Sequence, residues 1–403
     1  MSDQSLLDIL REPVLRETRA NLARSRERIL PQFRTPQQML GRQGNGCGAT
    51  IGAMPRCDFA CRGCYLGDEA NRIPRASVEE VKAQMRALRP RLGNAGNLQL
   101  TDGEVTLRPV GELIELLQYA QGLGLIPMLM THGDSFRRQP GLLQRLMREG
   151  GLREVSIHVD TTQRGRRGDQ WRAATTEAQL NPLRDEFATM LRAASRATGL
   201  PIRAATTMTV TRDNLAGVPD VMRWLARNAD VFRMISFQPI AQVGRTEDGL
   251  GGGVAVDELW DAIARGLDAA ELGRAHQWLG HPGCNRFVHG VVVTPRDGAP
   301  RYLPVRVDGD GDGPRIVDEF LDRFGGVTFR RDTAVQRWVR AAALAMRAPG
   351  ITLGNLPAFA RYWLDRIDPG HRLRALRDLV GGRVRVHSLV VVSHHFMSPA
   401  ELE

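Results

Sequence analysis

The sequence contains almost no lysine. Lys82 is the only one, so nearly all of the 55 basic side chains are arginine. Aromatic residues make up 5% of the chain, and none interleave with arginine in a stacking motif, which argues against a nucleic-acid surface. No apolar run approaches the roughly 18–20 residues that a membrane-spanning helix needs. The N-terminus, MSDQSLLDILREPVLRETRANL, lacks the short apolar core and small-residue cleavage site of a secretory signal. A cytoplasmic protein is therefore the default expectation. Cysteine is also scarce: there are five in 403 residues, at positions 47, 57, 61, 64 and 284. A disulfide framework would spread an even number through a small secreted chain. An odd number, with three inside eight positions, points to metal instead.

The hydrophobic fraction of 42% is that of a globular protein with a real core, and the length allows one large domain with extensions or two ordinary ones. The formal net charge of +10 has two readings. One is arginine bias from GC-rich coding. The other is a basic surface for an anionic partner: a phospholipid headgroup, a nucleic acid or an acidic electron-donor protein.

Residues 1–45 form an arginine-rich helical lead-in. Leu6, Leu7, Ile9, Leu10, Val14 and Leu15 give it an apolar face, and Pro13 breaks its first helix. The face suits packing on the rest of the chain, with peripheral membrane contact as the alternative. From residue 49 a regular rhythm begins. Apolar runs at 49–54, 97–101, 125–131, 154–159, 202–210 and 232–238 alternate with helical stretches near 77–91, 110–123, 139–149, 180–198, 214–228 and 256–270. Such alternation predicts a parallel sheet with right-handed crossovers. The pattern is compatible with an open doubly wound sheet or a partial (β/α) barrel. In either, ligands sit beyond the C-terminal strand ends, where Thr131, His132, His158, Asp160, Thr211, Arg212 and Gln238 fall. The polar insertion at 164–180 reads as a loop over the site, and 245–253 as a glycine-rich link. Past about residue 280 the rhythm fades into α+β character: strands around 288–295 and 301–307, a helix near 332–347 and a last long strand at 383–392. The expected division is thus a lead-in at 1–45, a βα core at 46–280 and a C-terminal α+β extension at 281–403.

The sharpest motif is Cys57-Asp58-Phe59-Ala60-Cys61-Arg62-Gly63-Cys64, directly after the first predicted strand. Structural zinc normally takes four protein ligands in a tetrahedral set, and here there are three. A four-iron cluster held by three cysteines keeps one iron free for an external ligand. The competing reading is zinc or a plain electron-transfer cluster, with Cys47, Cys284 or a histidine as the fourth ligand.

This C-x3-C-x2-C spacing, placed after the first strand, resembles the radical S-adenosylmethionine (SAM) superfamily. The resemblance implies a partial (β/α)6 TIM-type barrel. It also implies a [4Fe–4S] cluster on Cys57, Cys61 and Cys64, and SAM chelated to the open iron. Reductive cleavage of SAM to a 5′-deoxyadenosyl radical would then abstract hydrogen from a substrate. The family's glycine-rich turn after the second strand is matched by Gly103 and Glu104, with Asp102 and Val105 departing from it. Thr131-His132-Gly133 resembles the family's turn after the third strand, and Ser156 and Asp160 stand where polar residues often face the SAM ribose; His158 shares their face and reads either as a barrel-interior histidine or as a SAM or substrate contact. Gly63 replaces the usual aromatic before the third cysteine, leaving Phe59 or Tyr65 to cover the cluster or adenine. VTRDNLAGVPDVMRWLARN and FRMISFQPIAQVGR resemble the tetraether-lipid-synthase-like group, with cofactor-maturation enzymes as neighbours. The expected partners are a flavodoxin- or ferredoxin-type electron donor and a lipid or other small-molecule substrate. Cys284 cannot build a conventional auxiliary cluster alone, although His281, His394 and His395 could join it at a mononuclear site. The 56 residues before the motif are too few for a cobalamin domain. The rival class is a non-catalytic zinc or iron–sulfur protein with a binding or redox-sensing role.

Overall fold

Short runs rich in β-branched and long aliphatic residues, punctuated by glycine and polar turns, become six strands: β1 (Ala49–Met54), β2 (Asn97–Asp102), β3 (Ile126–Thr131), β4 (Glu154–His158), β5 (Arg203–Val210) and β6 (Phe232–Pro239). The computed structural model describes residues 5–44, 48–241, 245, 253–311, 313–329, 332–347 and 356–395. Neighbouring strands pair in parallel, in strictly sequential order. A doubly wound sheet reverses its strand order at a switch point, and here there is no reversal. Sequential right-handed crossovers put every helix on one face. A twisted sheet covered on one face curls into a barrel wall. Strand order therefore decides between the two architectures that the hydrophobic pattern left open.

The wall continues past β6. The chain forms β7 (Asn285–Pro295) and β8 (Arg301–Pro304), then returns as β9 (Val384–His394) between β6 and β7. β9 runs parallel to β6, with Met234 opposite Val390 and Phe237 opposite Ser393. β7 is antiparallel to both β9 and β8. β1 and β8 are the outer strands of the nine, so the barrel stays open.

The helices follow from local chemistry. Helix Val78–Leu92 opens on a capping box, in which Ser77 Oγ accepts from Glu80 N–H and the Glu80 carboxylate accepts from Ser77 N–H. Helix Asn181–Thr198 has proline in its first turn and ends on left-handed Gly199. The helix expected at 139–149 is Leu142–Arg148, and a short helix not anticipated, Asp134–Arg138, precedes it. Pro140 lacks a backbone donor, and Gly141 turns the chain at φ +91°. Helices Gly313–Phe324, Leu356–Ile367 and Arg372–Val380 were not evident from periodicity, whereas Ala334–Arg347 was. One large core lies between the strands and the helices of the βα repeats, such as Val78–Leu92 and Asn181–Thr198, with Leu98, Leu129, Val155, Ile235 and Phe237 among its wall residues.

The lead-in packs on the protein's own C-terminal half. Ile9 and Val14 are buried, while Leu6, Leu7 and Leu10 remain exposed. Arg340 spans the contact: it donates to Pro13 O at 2.6 Å and to both carboxylate oxygens of Asp332. No described helix is long and apolar enough to cross a membrane.

Candidate functional site

The three clustered cysteines lie on the loop that leaves the C-terminal end of β1. Backbone hydrogen bonds fix this loop from both sides. Ala60 N–H donates to Arg164 O and Arg62 N–H to Thr162 O, each at 2.9 Å; Gly63 N–H donates to Arg245 O at 3.0 Å. The start of the 164–180 insertion therefore runs alongside the cysteine loop. Gly63 has φ +65°, a conformation that glycine adopts freely and an aromatic residue does not. This accounts for its place in the motif. Phe59 is buried, whereas Tyr65 is exposed, with its hydroxyl donating to Asp102 O.

The turn after β2 is zipped to the same loop. Gly103 N–H donates to Met54 O at 2.6 Å and Glu104 N–H to Arg56 O at 2.8 Å. A Cβ on Gly103 would come within 2.3 Å of Arg56 O and 2.7 Å of Pro55 O. Glycine is thus required by close backbone approach. Asp102, standing where the related turn carries glycine, holds φ +95°.

Glu104 is buried and its carboxylate is saturated. Oε1 accepts from Thr106 N–H at 3.0 Å, from the Thr106 hydroxyl and from the Thr131 hydroxyl at 2.6 Å. Oε2 accepts from His132 N–H at 2.8 Å, and His132 Nε2 lies 3.1 Å away. The Thr131 hydroxyl also accepts from Gly133 N–H. Glu104 thereby ties the turn after β2 to the turn after β3.

His132 extends this network to the cysteines. Its Nε2 is 2.8 Å from Asp58 Oδ1, and its ring stacks on Phe59 with centroids 3.7 Å apart and planes 5° from parallel. Burial disfavours charge on the ring, but the hydrogen bond to Asp58 and the neighbouring Cys57 outweigh it and pull the pKa upward. Nδ1 accepts from Asp134 N–H at 3.1 Å. Facing the Asp58 carboxylate, Nε2 carries a proton. The Asp58 carboxyl is held below its usual range by the hydrogen bond to His132. Sequence reasoning placed His132 at the ligand-facing strand ends and in the turn after the third strand, gave it no link to the cysteines, and passed over Asp58. An acid placed between cysteine ligands was the available signal.

After β4, beside the segment that pairs with the cysteine loop, Asp160 is fully buried and its acceptors are also taken. Oδ1 accepts from Thr162 N–H at 2.8 Å and the Thr162 hydroxyl at 2.6 Å; Oδ2 accepts from Thr209 N–H at 2.7 Å and faces His158 Nε2 at 2.5 Å. Burial works against the Asp160 charge, yet His158 and the donors hold its carboxyl low. His158 is partly exposed, and Ser156 is buried beside Thr207 at 3.3 Å. Residues in register share a face. Since Leu98, Leu129, Val155 and Ile235 face the helices, the alternate residues face the barrel interior. Gln99, Ser156, His158, Thr207, Ser236 and Gln238 belong to that set together with Met128, Met130, Ala205 and Met234, so the interior wall mixes polar side chains with methionines.

Cys57, Cys61 and Cys64 are unbridged. Burial pushes the Cys61 thiol far up, with the charges of Asp160 and the other two cysteines adding to the effect. Burial also raises Cys64, against the backbone N–H of Leu66 and the charge of Arg245. Half-buried thiols that share one loop become thiolates when a cation joins them, so the donor set fits a thiolate-bound metal cluster. One tighter grouping exists among the described residues: Cys57, Asp58 and His132 offer donor atoms within 4.8 Å of one another. The 2.8 Å between His132 and Asp58 is a hydrogen bond; two ligands about 2.0 Å from one tetrahedral zinc would stand about 3.3 Å apart. Cys47 lies outside the described residues. Cys284 is exposed and linked by backbone bonds to His281 and His395, but those side chains form no ligand group among the described residues.

Residues 51–225 match the family model described as the radical SAM superfamily. A 7,8-dihydro-6-hydroxymethylpterin dimethyltransferase of Methanocaldococcus jannaschii is 24% identical over 201 residues, covering 50% of this chain and 37% of that protein. The chain thus spans just over a third of that relative's length. Streptococcus suis SuiB bound to S-adenosylmethionine is 11% identical, covering 56% of this chain and 49% of its own, with TM-score 0.38. A glycoside hydrolase family 18 N-acetylglucosaminidase from Paenibacillus barengoltzii is 12% identical, covering 57% and 72%, with TM-score 0.28.

Proposed function

We propose that this chain, which belongs to the radical SAM superfamily through residues 51–225, is an enzyme that generates a 5′-deoxyadenosyl radical and uses it to take hydrogen from an unreactive C–H bond. The family's cofactors are a [4Fe–4S] cluster and SAM, and when bound they supply the radical by reductive cleavage of SAM. The observation that carries the reading is the set of three unbridged thiols on one doubly tethered loop at the mouth of β1.

In this reading Cys57, Cys61 and Cys64 hold the cluster. Gly103 brings the turn after β2 against the cysteine loop, and the backbone there is the surface offered to the amino acid end of SAM. Glu104 and Thr131 brace that turn from behind, since their polar atoms are spent on one another and on His132. At the end of β4, Ser156, His158 and Asp160 frame the ribose side, with Asp160 orienting His158. The walls of the open barrel exclude water from the reacting atoms. A flavodoxin- or ferredoxin-type protein supplies the electron, and its acidic surface suits a chain of net charge +10.

Gln99, Thr207, Ser236 and Gln238 on the interior wall favour a substrate with hydrogen-bonding groups, because one without them would leave these side chains without partners, and Met128, Met130 and Met234 on the same face suit its apolar part. The pterin named for the methanogen relative is a molecule of that polar, heterocyclic kind.

Anaerobic reconstitution with iron, sulfide, dithionite and SAM tests the proposal. The wild-type chain should bind about four irons and release 5′-deoxyadenosine, and Cys57→Ala should abolish that release. Undiminished 5′-deoxyadenosine from Cys57→Ala would refute the reading, as would one zinc per chain with no SAM binding.

A further inference from the structure

His132 reaches the cysteine loop by three separate contacts. Its Nε2 meets Asp58, the residue after the first cysteine, at 2.8 Å. Its ring lies flat on Phe59, the next residue, at 3.7 Å between centroids. Its donor atom also falls within 4.8 Å of Cys57 Sγ. The histidine is fixed from behind as well: Glu104 accepts its backbone N–H at 2.8 Å, and Asp134 N–H donates to Nδ1 at 3.1 Å. The ring can therefore neither flip nor swing away without breaking buried hydrogen bonds. Sγ of Cys57 already receives Phe59 N–H at 3.4 Å, and the His132 Nε2–H, directed at the Asp58 carboxylate next to that cysteine, offsets negative charge beside the same sulfur.

We infer that His132 is a positioning residue for the Cys57 ligand, holding the first cysteine arm through Asp58 and Phe59 and setting the redox equilibrium of the group bound there. The inference rests on the cluster-binding reading above. Reduction adds negative charge to a thiolate-bound cluster, and N–H dipoles near its sulfurs favour the more negative state. Removing the Nε2–H should make the cluster harder to reduce. Nothing in the motif spacing announces this role, because His132 belongs to a different strand end and reaches the loop only in three dimensions.

The test uses the full chain, anaerobically reconstituted, with two variants. His132→Phe keeps a flat ring for the Phe59 stack and removes the N–H. His132→Asn keeps an N–H donor and removes the ring. Iron per chain and the cluster midpoint potential are measured without substrate, the latter by a dye-mediated titration followed by electron paramagnetic resonance. His132→Phe should shift the reduced-to-oxidised ratio at fixed potential between threefold and tenfold toward oxidised, a fall of about 30–60 mV for a one-electron couple. His132→Asn should stay within about twofold of wild type. A fully loaded His132→Phe at the wild-type potential would overturn the inference. If His132→Phe holds no cluster, His132→Asn decides: loading at the wild-type potential upholds the role of the N–H, whereas an equally empty or equally shifted chain overturns it. A wild-type chain that loads no cluster instead counts against the cluster-binding reading itself, and that result is visible before any variant is made.

Discussion

Asp160 offers a stringent test of how the site is built. Its carboxylate is completely buried and serves Thr162 N–H, the Thr162 hydroxyl, Thr209 N–H and His158 Nε2. In Asp160→Ala the hydroxyl and the imidazole can turn to other partners, but the two backbone N–H groups are fixed by the strand ends. An orphaned buried donor costs about 1–3 kcal/mol, and the lost carboxylate also removes the charge partner of His158. The expected destabilisation is about 3–5 kcal/mol. Asp160→Asn should cost less, about 1–3 kcal/mol, because its amide oxygen still serves Thr162 while its NH2 faces Thr209 N–H. Urea unfolding of the metal-free chain, followed by tryptophan fluorescence, measures both, provided the denaturant slopes agree with wild type. An Asp160→Ala chain within about 1 kcal/mol of wild type would show that the strand-end donors find other acceptors. Asp160 would then be free to serve a ligand directly, and its role as an anchor would be wrong.

Two further outcomes follow from groups outside the site. Arg340→Ala leaves Asp332 buried without its partner and frees Pro13 O; it should destabilise by about 3–5 kcal/mol and speed proteolytic cleavage within residues 5–30, and unchanged cleavage would mean that the lead-in is held some other way. Burial lowers the pKa of His276 to about 4, with the Arg286 charge adding to the effect, and burial alone does the same for His289; both folded values lie below the unfolded value near 6.5. The unfolded chain therefore binds more protons between these limits, so stability is full above about pH 6.5 and falls as pH drops toward 4. His276→Phe, which keeps a ring against Trp260, should flatten that slope in urea titrations across the window, and an unchanged slope would refute the assignment.

The sequence alone determined what is local. Three thiols within eight residues must share one small object, and six apolar runs of strand length alternating with helices must build a parallel sheet. Gly103 and Cys57 could be placed at adjacent strand ends because sequential βα units put them there. The tertiary structure decided everything that depends on which distant segments meet. β9 returns about 145 residues after β6 to pair with it, and no periodicity within either strand encodes that partnership. The same holds for His132. Its sequence neighbours give it a turn, but only the closing of the barrel brings its ring onto Phe59. The carboxylates of Glu104 and Asp160 showed the same limit: in the sequence each was a candidate SAM contact, while in three dimensions both are enclosed by backbone and hydroxyl donors. A carboxylate's partners are fixed by packing across the strand ends, and spacing along the chain carries no record of how many of its lone pairs are already spent.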